Sequence, residues 1–150
     1  MKSLLSAFVL FFLFTEFCQA ESFNDRSKPR IEKLSLGSDF EGGCGCSAYR
    51  GDDVFFFSGP EDRAQLIAKI DGRLRKLNFV SSTEDSSPAV GDRFTKIYKD
   101  SRYRVSLDHK TTFVCAPSDE GCEVTRYDLK VNVKRGRESS RFSFKGDCGC

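Results

Sequence analysis

Polar and apolar residues alternate with a period of two over much of the chain, most clearly in its second half. Tyr103, Val105, Leu107, His109, Thr111, Phe113 and Cys115 fall on one side of an extended segment, with Arg102, Arg104, Ser106, Asp108, Lys110 and Thr112 on the other. That repeat belongs to a half-buried antiparallel strand. Tyr127, Leu129, Val131 and Val133 alternate in the same way with Asp128, Lys130, Asn132 and Lys134, and Phe142 with Phe144 makes a shorter third case. Helical periodicity is weak throughout, so the pattern predicts an all-β fold.

Turn residues set the expected register. Asp71-Gly72 separates two apolar runs, and a two-residue Asp-Gly loop suits a hairpin because both central residues take φ > 0. Ile70 then faces Arg73, Leu66 faces Leu77 and Ala64 faces Phe79, which brings apolar residues together. The same arithmetic around Asp100-Ser101 sets Tyr98 opposite Tyr103 and Phe94 opposite Leu107. Val54-Phe55-Phe56-Phe57 adds a buried strand near the start, and the polar stretch Ser81 to Asp92 reads as a mobile loop between two halves of one sheet system. The expected architecture is an antiparallel meander of about seven or eight strands, closed as a small barrel or stacked as a two-layer sandwich.

The ends change the picture of where this chain works. Lys2, the apolar stretch Leu4 to Phe14 and the ending Cys18-Gln19-Ala20 read as a secretory signal peptide over residues 1–20. That stretch is too short to span a bilayer as a helix, and no second apolar run follows, so no transmembrane segment is expected. Residues 21–33 are polar and unpatterned and read as a flexible leader, which leaves 34–150 as a single domain. Without the signal, 23 basic residues stand against 21 acidic ones. A balance so close to zero does not call for nucleic acid. A mature chain of this size buries enough surface to fold with no cofactor.

Setting Cys18 aside with the signal leaves an even set of cysteines: Cys44, Cys46, Cys115, Cys122, Cys148 and Cys150. In a periplasmic or secreted protein these read first as a structural disulfide framework. Two identical Cys-Gly-Cys motifs lie at opposite ends of the domain. In an extended motif both cysteines project to one face about 6.6 Å apart, so bonds between the motifs are easier than a bond within one. Antiparallel pairing gives Cys44–Cys150 with Cys46–Cys148, and parallel pairing gives Cys44–Cys148 with Cys46–Cys150. Four converging thiolates would also suit zinc or copper(I), and a labile pair would suit thiol–disulfide exchange, so a metal-binding or redox protein is the alternative. Cys115 and Cys122 bracket a turn-rich loop that a disulfide would close. If Cys115 faces Cys122, regular pairing turns Tyr127 and Leu129 outward; a β-bulge near Thr125-Arg126 restores them to the inner face.

No catalytic constellation emerges. His109 sits on the apolar face of its strand and reads as a core or interface residue. The acidic pairs Asp52-Asp53, Glu61-Asp62, Glu84-Asp85 and Asp119-Glu120 fall in expected loops, where solvated turn chemistry accounts for them. The polar strand faces carry Arg102, Arg104, Lys110, Arg126, Lys130 and Lys134, a candidate strip for an anionic partner diluted by Asp108 and Asp128.

The stretch Asp119 to Tyr127, with Cys44-Gly45-Cys46-Ser47, Ile70-Asp71-Gly72 and Gly91-Asp92-Arg93, resembles a group of small exported bacterial proteins of uncharacterised activity. That resemblance covers most of the mature chain and carries over no functional residue. In general style the chain is also similar to the periplasmic inhibitors of C-type lysozyme, small exported β-barrels with an aspartate-glycine hairpin and a disulfide. The paired Cys-Gly-Cys motifs depart from that style, and no inhibitory loop aligns. The function expected is a noncatalytic binding or inhibitory module of the cell envelope or extracellular space, with a protein or cell-wall polymer as partner.

Overall fold

The computed structural model describes residues 27–59, 65–84, 88–116, 118–119 and 121–150. The signal-peptide reading of 1–20 and the first part of the leader lie outside these residues. Among them every regular element is a strand: β1 (Ile31–Glu32), β2 (Gly45–Arg50), β3 (Asp53–Ser58), β4 (Gln65–Ile70), β5 (Arg73–Ser82), β6 (Arg93–Lys99), β7 (Arg104–Val114), β8 (Val124–Arg135) and β9 (Glu138–Gly149). Each strand from β2 to β9 pairs antiparallel with the next, and β9 pairs back onto β2. This is an eight-stranded closed barrel, which leaves no free edge between its first and last strands.

Alternation decides which residues fill the barrel. Val105, Leu107, His109 and Thr111 of β7 and Tyr127, Leu129, Val131 and Val133 of β8 are buried, while their polar neighbours face water. The Asp71-Gly72 hairpin has the expected register, with Ile70 opposite Arg73 and Leu66 opposite Leu77. Ala64 lies outside the described residues.

Four details differ from the expectations. The β6–β7 connection is wider: Tyr98 faces Val105 and Phe94 faces His109. The cause is Asp100, whose carboxylate accepts the backbone N–H groups of Arg102 and Tyr103 and so draws both of these residues into the turn on its β7 side. The shift of two keeps the same faces inward.

A bulge does lie opposite Arg126, but the extra residue is Thr112 of β7, not one near Thr125-Arg126 of β8. Tyr127 and Leu129 face inward as required, and the bulge turns Phe113 outward, where it is 39% exposed under the Arg126 guanidinium. Val114 pairs with Thr125, so Cys115 does not stand opposite Cys122 in the ladder.

Ser81 and Ser82, placed in a loop by composition, are paired to Ile97 and Lys96 and extend β5. Part of the expected leader is also built into the fold. Ile31 and Glu32 pair with Ile70 and Lys69, Pro29 is fully buried, and the Leu34 N–H donates to the Val54 carbonyl. β3 and β4 pair only through Phe56–Ala68 and Phe57–Ile67, and β1 occupies the gap where they splay.

The two ends of the barrel differ. At one end the connections are short: Gly51-Asp52, Asp71-Gly72, the Asp100 turn and Gly136-Arg137. That end is plugged by Asp71, whose Oδ2 accepts from Tyr103 Oη at 2.7 Å and Arg135 Nη1 at 2.8 Å, while Oδ1 accepts from the Arg30 N–H at 2.9 Å. The other end carries the last residues of β3, β5 and β7, the first residues of β4, β6 and β8, and all three disulfides.

Candidate functional site

A cavity of about 530 Å³ opens at the disulfide end and runs into the barrel. Its origin is a matter of side-chain size. The closed half is filled by Ile70, Leu77, Tyr103, Val105, Val131 and Val133. Towards the mouth the inward positions of β2 and β3 include Ala48 and Ser58, which are too small to fill an eight-stranded lumen. The hollow is lined by these small residues together with the larger Leu66, Leu107 and Leu129. Its volume is in the range of small-molecule sites, about 300–1,000 Å³.

The walls are apolar and aromatic low down and polar near the rim. Phe79 and Tyr98 meet edge to face at 5.7 Å on one wall. On another, His109 stacks on Phe94 at 4.4 Å and meets the edge of Tyr127 at 5.1 Å. Lys96 points inward because it shares the β6 face with Phe94 and Tyr98 and stands opposite Leu107. Its Nζ lies 2.9 Å from Glu84 Oε2, which reaches in from the β5–β6 connection, and 5.2 Å from the Phe94 ring centre. Both members of this ion pair keep about a quarter of their side-chain surface exposed, 24% each.

The electrostatics leave the imidazole uncharged. Burial, and then the Lys96 ammonium, push the His109 pKa down to about 4. Its Nδ1 lies 3.0 Å from the Leu107 carbonyl, which only accepts, so Nδ1 carries the proton. Burial raises Tyr98 and Tyr127 above the ordinary phenol range, and the Glu84 carboxylate adds to both shifts. At neutral pH the rim therefore presents an ammonium, a carboxylate and two protonated phenols above an apolar pocket.

The structure brings the two Cys-Gly-Cys motifs together in the antiparallel arrangement, Cys44 with Cys150 and Cys46 with Cys148. They join β2 to β9, the first and last strands of the barrel, and Cys46–Cys148 forms part of the cavity wall. The intervening glycines are needed for packing. A Cβ on Gly45 would overlap the Ser58 carbonyl oxygen, and one on Gly149 would overlap that of Glu123. Cys115 and Cys122 close the β7–β8 connection. With every one of these sulfurs bonded to another, this oxidised form offers no thiolate to a metal.

The basic residues do not form one uniform strip. Arg104 and Lys134 are cross-strand partners near the closed end, and Arg102 lies in the turn beside them, over the Tyr103 ring. Lys130 faces Asp108, Lys110 faces Asp128, and Arg126 lies over Phe113 towards the mouth. Lys145 of β9 pairs with Asp128 and holds its carboxyl below the usual carboxylate range. The outer sheet face therefore alternates in charge along its middle.

Sequence reasoning missed Lys96, Glu84 in a site role, and the cavity itself. The available signal was a lysine between Phe94 and Tyr98 at the inward period of β6. No family model matches the chain, and neither a curated protein nor a solved structure matches it. No helix among the described residues is long and apolar enough to cross a membrane.

Proposed function

We propose that this chain is an exported, noncatalytic binding protein that holds a small, largely apolar ligand in the mouth of its barrel, in the periplasm or outside the cell. The observation that carries the reading is the 530 Å³ cavity, apolar below and polar at the rim, at the end where the longer connections lie. Convergent polar groups over an apolar pocket are the usual arrangement of a small-molecule site. Three disulfides suit an oxidising compartment. His109, the chain's single histidine, is held neutral and committed to a backbone carbonyl, which supports a binding role over acid–base chemistry.

The test is uptake of an uncharged fluorescent apolar probe, N-phenylnaphthylamine, by the oxidised protein. Saturable enhancement of its fluorescence is expected, and Ala48→Leu or Leu66→Phe, which add volume inside the cavity, should abolish it while thermal unfolding stays cooperative. Enhancement unchanged in both folded variants would locate the probe elsewhere and remove the reading. A protein or cell-wall polymer bound on the outer sheet face would then be the function to test.

A further inference from the structure

We propose that the cavity takes a single-chain amphiphile head-first at its rim, with a carboxylate headgroup bound by Lys96 in the position Glu84 now occupies and the tail among Phe56, Leu66 and Leu129. This deepens the small-ligand reading and rests on it.

The argument begins with where each charge is anchored. Lys96 belongs to β6, and its backbone is fixed in the ladder opposite Leu107, so its ammonium is a permanent feature of the wall. An inward lysine is costly to hold in a barrel unless an anion meets it. Glu84 supplies that anion from outside the strand framework, one residue beyond Thr83, whose N–H donates to the Thr95 carbonyl and whose hydroxyl accepts from the Thr95 N–H. The chain thus demonstrates in its own side chain the group that fits this place: a carboxylate oxygen 2.9 Å from Nζ.

The remaining rim groups favour the same headgroup. Tyr98 and Tyr127 line the cavity and stay protonated, so neither adds a negative charge that would repel a carboxylate, and His109 is uncharged and so makes no second cationic site. Below them the wall is aliphatic and aromatic, which stabilises a hydrocarbon tail by roughly 0.8 kcal/mol per buried methylene. One ammonium at the rim over one apolar pocket matches one head and one tail. A headgroup with a positive charge would meet Glu84 instead, at the cost of leaving Lys96 facing it.

The experiment is calorimetric titration of the oxidised protein with decanoate, decanol and decylamine, alone and in the presence of N-phenylnaphthylamine. Decanoate is expected to bind about tenfold more tightly than decanol, the margin of one charge-assisted hydrogen bond. Lys96→Gln should erase that margin and leave decanol unchanged, Lys96→Arg should restore it, and Glu84→Gln should strengthen decanoate by removing its competitor. Equal binding of decanoate and decanol, or indifference to Lys96→Gln, would overturn the carboxylate assignment and leave the cavity reading standing. Preference for decylamine, weakened by Glu84→Gln, would overturn it as well by making Glu84 the headgroup site. Failure of all three amphiphiles together with the neutral probe would remove the cavity reading itself.

Discussion

His109 is 7% exposed, stacked on Phe94 and edge-on to Tyr127, within the field of the Lys96 ammonium. An imidazole that stays neutral down to about pH 4 when folded, but takes up its proton near 6.5 when unfolded, ties stability to pH. Between those two values the unfolded chain binds more protons than the folded one, so stability falls as pH falls from about 6.5 towards 4. Below that window the loss from this group is complete, at about 3 kcal/mol for a shift of this size. Urea unfolding should show a midpoint that drops across this range in the native protein and drops much less in His109→Gln. Parallel pH profiles for the two would assign the acid sensitivity to other groups. Lys145 holds the Asp128 carboxyl low and burial pushes that of Asp147 up, and both are present in the native protein and in His109→Gln, so the difference between the two profiles reports the imidazole.

At the scale of elements, the shortest strand has the largest consequence. β1 contributes two ladder residues, yet it carries the buried Pro29, the reciprocal bonds between Arg30 and Asp71, and the cover over the splayed ends of β3 and β4. Removing residues 21–33 should lower stability by about 3 kcal/mol, from one or two buried apolar side chains and a few hydrogen bonds. The thermal midpoint should fall by roughly 10 °C, and an unchanged midpoint would show that β1 is dispensable. Composition hides this element because Pro29, Ile31 and Leu34 are isolated among charged residues, with no run long enough to show a period. The Asp71-Gly72 register was legible because the turn's own dihedrals impose it: φ is 51° at Asp71 and 76° at Gly72. The Asp100 connection was not, because a side chain capping two amides alters the loop length without altering the alternation. The bulge was legible only as a need. An extra residue on either strand returns Tyr127 to the inner face, and only the pairing of Thr111 with Tyr127 and Phe113 with Arg126 assigns it to Thr112.

For the whole molecule, a cavity is a difference between the circumference of a barrel and the summed volumes of residues from several strands. Ala48 and Ser58 are unremarkable one at a time, so the hollow they leave was not legible, whereas the union of the two ends was: paired terminal strands carrying Cys-Gly-Cys motifs align their sulfurs. That closure sets the energetics of the disulfides. The bonded cysteines are separated by 106 and 102 residues in sequence, so either bond alone constrains nearly the same loop of the unfolded chain. Chain entropy assigns about 4–5 kcal/mol to closing a loop of that length. Once it is closed by one bond, the other adds only the small loop between neighbouring cysteines. The two contributions are therefore strongly coupled and do not add. Replacing Cys44 and Cys150 by serine, or Cys46 and Cys148 by serine, should each cost about 2 kcal/mol on the loop term, and replacing all four should cost about 6–7 kcal/mol. Urea unfolding of the three variants with Cys115–Cys122 intact measures this directly. Losses that add, each pair costing half of the total, would mean that the bonds act through local packing at the mouth instead of through the closure of the barrel.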